Sequence, residues 1–120
     1  MSLDMYLHAG ITCDHCNALV STPGAVVWSH SGLTHNLNKM AAEAGIYECM
    51  WRPDEYGFDR AAQLIEPLRA GLAAMRSDPA RFEALNPPNM WGDYHGLVRV
   101  ASEYLAACEE HPMALVRVSR

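Results

Sequence analysis

The chain has 120 residues, half of them apolar and 19% charged, a balance that sets aside a disordered chain and fits one domain with a core of its own. Nine Lys and Arg against fourteen Asp and Glu leave a net charge of -5, so no global positive field is available to hold duplex DNA or an anionic membrane surface. No apolar run approaches the ~20 residues of a membrane span, and the first residues lack the basic and apolar stretches of a secretory leader, so a cytoplasmic, reducing setting is expected.

Leu3, Met5 and Leu7 alternate with Asp4, Tyr6 and His8, the period of a half-buried strand. Gly10 to Gly24 carries two cysteines and the breaker Pro23-Gly24, so a Cys-bearing hairpin loop over 9–24 is expected to return on a second strand, Ala25 to Ser31. Thr34 can cap a helix in which Leu37, Met40, Ala41 and Ala44 share a face, and Gly45 can end it. Ile46 to Trp51 is a short apolar run that periodicity does not assign, and Arg52 before Pro53 is pushed out of helical geometry, so this stretch reads as irregular. From Asp59 the stripe Ala61, Leu64, Ile65, Leu68, Leu72, Met75 predicts an amphipathic helix to Ser77, which Pro67 should kink or split. Asp78-Pro79 starts a further turn through Leu85, and Asn86 to Gly92, with two prolines, is a loop. Leu97, Val98, Ala101, Tyr104, Leu105 and Cys108 make one face of a last helix that Pro112 stops before a final strand, Met113 to Val118. This order predicts a single α+β domain over 1–120, a small antiparallel or mixed sheet of about three strands packed on three helices.

In a reducing compartment the four cysteines favour metal ligation or core packing over disulfides. Cys13, Cys16, His30 and His35 follow a C-x2-C, H-x4-H spacing, and two thiolates three residues apart with two imidazoles from the next element can complete a zinc tetrahedron. A structural zinc knuckle steadying the hairpin is therefore expected, with His8, His15 or Cys49 as substitutes for His35. The helix after Thr34 offers only Lys39 as a basic residue, which sets aside a DNA-reading finger. A redox role needs a helix opening at the Cys pair, and Asn17 to Thr22 is too short a stretch before Pro23 to form one. The competing role for all four thiols is packing.

Aromatic and polar residues concentrate at element ends: His35-Asn36-Leu37-Asn38, Tyr47 to Pro53, and Asn86 to His95. Trp and Tyr beside Asn and Arg can stack on and hydrogen-bond a planar ligand, so His35, Asn36, Trp51, Arg52, Asn89, Trp91 and Tyr94 are the candidate pocket, with a small planar anion such as a nucleotide as its ligand. Each residue also has a plain structural role available. Trp51 and Trp91 can plug the edge of a core, Asn89 can fix its own turn, and Asp93 can cap the last helix.

The stretches from Leu33 to Met40, Ala44 to Glu48, Trp51-Arg52-Pro53, Asn86-Pro87-Pro88-Asn89 and Trp91-Gly92-Asp93-Tyr94 resemble a family of small uncharacterised proteins of bacteria and their phages, over about Thr34 to Arg120. That family usually reads Asn-Pro-x-Asn-Gly-Trp-Gly before the last helix, so Met90 departs from its pattern and weakens the expectation of a tight backbone turn there. The resemblance implies a shared fold and shared pocket residues and adds no reaction; the Cys loop lies where such proteins vary, which favours a structural role for any metal. The expected function is thus a non-enzymatic, phage-like binding protein with a small-molecule ligand. Its rivals are a small metal-dependent hydrolase, with His30, His35 and Asp93 around an open metal and Glu48 as a further base, and an inhibitor of a host defence protein acting through its acidic surface. Nothing in the residues fixes the oligomeric state.

Overall fold

The computed structural model describes residues 2–12, 15–16, 19–20 and 24–120. Strand β1 (Ser2–His8) is followed by a short antiparallel pair, β2 (Ile11–Thr12) and β3 (Leu19–Val20), and by the long strand β4 (Val26–Thr34). A 3-10 turn (His35–Leu37) leads into α1 (Asn38–Ala44), then come α2 (Tyr47–Trp51), α3 (Ala62–Ser77), α4 (Pro79–Glu83), α5 (Tyr94–Glu110) and β5 (Leu115–Ser119). The main sheet is antiparallel in the order β4-β1-β5, so the first and last strands of the chain are neighbours, giving the small α+β fold expected. No helix among the described residues is long and apolar enough to cross a membrane.

The alternation in β1 sends Leu3, Met5 and Leu7 into the core, each with no exposed surface, and leaves Asp4, Tyr6 and His8 on the half-buried outer face. Against that inner face lie the stripes of α3 (Leu64, Leu68, Leu72, Met75) and α5 (Leu97, Val100, Ala101, Tyr104, Cys108), all buried. Trp28 on β4 stacks on Tyr104, with ring centroids 4.8 Å apart and planes 10° from parallel. Gly71 lets α3 approach the segment between α1 and α2 closely, because a Cβ there would collide with Ile46.

Several local expectations are corrected. The stretch Ile46 to Trp51, read as irregular, contains α2; its Cys49, Met50 and Trp51 are buried, and five residues, little more than one turn, are too few to show the helical period. Pro67 does not split α3, which runs unbroken; the Gln63 carbonyl that loses a donor belongs to an exposed residue and keeps water within reach. The helix also starts later than Asp59, whose backbone N–H, like that of Arg60, donates to Gln63 Oε1, at 2.7 and 2.9 Å. The second strand continues past Ser31 to Thr34 because a bulge absorbs Gly32, which has φ 83 and donates its N–H to Asp4 Oδ1 at 2.9 Å. The loop over 9–24 contains the β2–β3 pair.

Candidate functional site

The loop from Asn86 to Asp93 is built by its own side chains. The Met90 N–H closes a turn on the Pro87 carbonyl at 3.1 Å, Asn89 Oδ1 accepts from the Trp91 N–H at 3.0 Å, and Asn86 Oδ1 accepts from the Tyr94 N–H at 2.8 Å. Asp93 then caps α5, its Oδ1 accepting from the Gly96 N–H at 2.7 Å. The tight turn is made although Met90 weakened the expectation of one: Met90 has φ 62, the left-handed region that side chains avoid. Gly92 follows at φ 92, and a Cβ on it would come within 2.6 Å of Thr34 Cγ2 and 3.0 Å of Leu37 Cγ, so the loop lies directly on the end of β4 and the 3-10 turn. Held this way, Met90 and Trp91 project outward, 89% and 68% exposed.

Beneath Trp91 runs a groove of about 390 Å³ between β4 and α5. Its floor is the roof of the core, Leu33, Leu37 and Val100, and Gly32, Gly92 and Gly96 keep it open by contributing no side chain. The polar groups along it are His30, Thr34, Asp93 and Arg99. Asp93 is committed to its cap, and Arg99, among the described residues, pairs only with Glu103, at 3.8 Å with both side chains at least half exposed, a weak pairing.

The other candidates gather around His35. Trp51, only 2% exposed, donates its indole N–H to His35 Nδ1 at 2.9 Å, so Trp51 is a core plug with one polar edge. Arg52 Nε donates to the Tyr47 hydroxyl at 3.3 Å and its Nη1 to Glu55 at 2.8 Å; these two partners raise the guanidinium's pKa further. Arg120 donates to the Trp51 carbonyl at 2.9 Å and grips Asp54 at 2.7 and 3.1 Å, which holds that carboxyl below its usual range. His35, Tyr47, Trp51, Arg52 and Arg120 thus enclose a hollow of about 370 Å³. A second hollow, about 480 Å³, takes in His35 with Asn36, Lys39, Asn86 and Asn89. Trp91 stands apart in its own groove, for which the same loop supplies a wall. Tyr94 does not join the surface: it is buried, and its hydroxyl donates to the Met75 carbonyl at 2.7 Å.

Of the expected zinc ligands, Cys13 lies outside the described residues, and Cys16 is exposed. His30 belongs to the Trp91 groove and His35 to the two other hollows. Since an indole N–H can only donate, His35 Nδ1 must accept, which puts the proton of the neutral ring on Nε2 and leaves no free lone pair for a metal. His8, weighed as a substitute, has the opposite tautomer: Nδ1–H donates to the Gly24 carbonyl at 2.9 Å, freeing Nε2 as a ligand. Cys49, the other substitute, is a core thiol pushed up to about 12 by burial. Among the described residues, no group of three or more His, Cys, Asp or Glu is placed to hold a metal ion.

Sequence reasoning missed Arg99, Leu33 and Val100 as groove residues. The first carries no motif, Leu33 lies beyond the expected end of the second strand, and Val100 lies off the apolar face expected for the last helix. Compared with protein-family models, curated proteins and solved structures, the chain matches none.

Proposed function

We propose that the chain is a non-enzymatic binding protein that seats a small planar anion in the groove beneath Trp91. The observation that carries this reading is an indole 68% exposed, held out by a left-handed Met90 beside an apolar floor and a weakly paired guanidinium. Strained backbone of this kind persists where its surroundings over-determine it, and ligand clamps are such places. A flat ring stacked on Trp91 gains area at low entropic cost, and Leu33, Leu37 and Val100 exclude water from its edge. Arg99 adds a planar, permanently charged donor fork for a carboxylate or phosphate, with His30 on the strand side. Binding is favoured over turnover by where the perturbed nucleophiles lie. The Cys49 and Cys108 thiols, each pushed up to about 12 by burial, and the Tyr104 hydroxyl, raised well above its ordinary value by burial, are all in the core.

Titrating the protein with a panel of nucleoside monophosphates tests this. Saturable quenching of tryptophan emission and a rise in melting temperature are expected, with Trp91→Ala and Arg99→Gln each weakening binding by about tenfold, ~1.4 kcal/mol, without unfolding the protein. No response across the panel, or affinity untouched by both substitutions, refutes the reading.

A further inference from the structure

Four of the side chains lining the hollow on the His35 side of the 86–93 loop have only donors left to offer, beside Asn36 and Asn38, whose amides carry a donor and an acceptor each. Asn86 and Asn89 each spend their carbonyl oxygen inside the loop, on the N–H groups of Tyr94 and Trp91. A backbone N–H can only donate, so the accepting atoms are Oδ1, and each side chain is left with its Nδ2 amide, a donor group, to present. His35 has spent Nδ1 on the Trp51 indole N–H, so its neutral ring presents Nε2–H. Lys39 adds an ammonium with three donors and, among the described residues, has no carboxylate within ion-pair distance; Glu43, one turn further along α1, is held by Arg81. No Asp or Glu lines this hollow among the described residues, in a chain that carries fourteen. Four side chains from two separate stretches are thus reduced to donors, and one of them is charged.

We propose that this hollow binds an oxyanion, a phosphate or carboxylate group, through Asn86 Nδ2, Asn89 Nδ2, His35 Nε2 and Lys39 Nζ. A ligand with only acceptor atoms matches these four side chains, which have only donors to give, and hydrogen bonds to an ionised acceptor are the stronger kind. This site stands independently of the Trp91 groove. Its oxyanion is either a free ion or a group carried by a larger ligand whose planar part lies under Trp91, since the 86–93 loop walls both spaces.

The experiment is an NMR titration of the isotope-labelled full chain with inorganic phosphate, acetate, a nucleoside and the matching nucleoside monophosphate. Saturable shifts of the Asn86 and Asn89 side-chain amides and of the His35 ring are expected with phosphate. Asn86→Asp with Asn89→Asp is the deciding variant: each carboxylate can still accept from Tyr94 or Trp91, so the loop is kept, while a donor becomes a negative acceptor. Phosphate binding should be lost with the native spectrum retained, and Lys39→Gln should weaken it about fivefold. If phosphate alone moves the hollow and leaves the Trp91 indole signal still, the source is a free ion; if the monophosphate binds more tightly than phosphate and moves both, one ligand spans them. Either result upholds the site, and a still Trp91 signal with a responding hollow counts against the groove reading alone. Linear or absent shifts with every oxyanion, or unchanged affinity in the double Asp variant, overturn the proposal. Should that variant lose its native spectrum, Lys39→Gln decides, and unchanged affinity there overturns it.

Discussion

Trp51 and Trp91 look alike in the sequence, each beside a proline-bearing loop with polar neighbours, and the fold uses them in opposite ways. Trp51 ends a five-residue helix whose last three side chains all face inward; it is 2% exposed, and its single polar atom is answered by His35. Trp91 lies outside any helix, on a loop held in shape by the side-chain oxygens of Asn86, Asn89 and Asp93, and two-thirds of its surface meets water. The difference teaches that neighbouring polar residues do not tell a plug from a platform. What tells them apart is where the backbone bonds of the flanking segment go. Around Trp51 they close a helix against the core, whereas around Trp91 they close a turn on itself and leave the side chain outside.

Truncating each tryptophan tests that contrast most strongly. Trp51→Ala should destabilise the protein by about 3–5 kcal/mol in chemical denaturation, through lost burial and a cavity beside Met50. Trp91→Ala should stay within about 0.5 kcal/mol of the parent. Comparable losses for both would dissolve the distinction. Gly92→Ala comes next, because it attacks the way the Trp91 loop rests on β4. The new methyl would crowd Thr34 Cγ2 and Leu37 at a backbone angle suited to glycine, at a cost on the order of 3 kcal/mol from crowding and strain together. A thermal melt matching the parent would show that the loop yields easily.

How much of this was legible follows from the range of the interactions. The β1 alternation, the α3 stripe but for half-buried Ile65 and the Asp93 cap are local patterns that stand where periodicity and capping put them, whereas the α5 face is turned so that Val100 and Ala107 are buried and Val98 and Leu105 only half-buried. The α2 helix was hidden because five residues, little more than one turn, are too few to show a period. The candidate pocket was half legible. Asn89 fixing its turn and His35 beside Trp51 come from residue types at element ends, whereas pairing Arg99 on α5 with Leu33 on β4 requires the tertiary packing of segments far apart in the chain. Tyr94 misled because its hydroxyl finds a buried carbonyl, which no spacing in the sequence announces.

Alkali should sharpen the comparison from the Trp51 side, where Cys49 sits in the same short helix. Burial holds the Cys49 and Cys108 thiols protonated up to about 12 in the folded chain, whereas in the unfolded chain they ionise near 9. Between those values the unfolded state releases protons that the folded state keeps, so stability is intact below about pH 9 and falls as pH rises, by roughly 1.4 kcal/mol per pH unit for each thiol. Melting temperature recorded from pH 8 to 11 should drop less steeply in Cys49→Ala than in the parent. Equal slopes would mean that Cys49 is not buried as described, and with it the interior character of the Trp51 helix would fall.

The smallest expected effect bears on the Trp91 side. Met90 occupies the left-handed region at a cost of about 1–2 kcal/mol, and its side chain, 89% exposed, recovers almost nothing by packing. Met90→Gly removes that cost but adds about 0.5–1 kcal/mol of unfolded-chain entropy, so the variant should be more stable by about 0.5–1 kcal/mol, while Met90→Ala, which keeps a Cβ at the same angle, should change little. The pair isolates backbone strain from side-chain contact. A stabilised glycine variant that keeps its affinity for nucleoside monophosphates would assign the strain to the turn alone, with Trp91 the working side chain. A stabilised variant that loses affinity would instead place the Met90 side chain in the groove as part of the clamp. If the glycine variant is no more stable than the alanine one, the left-handed turn costs nothing, and the strained-platform account of Trp91 fails with it.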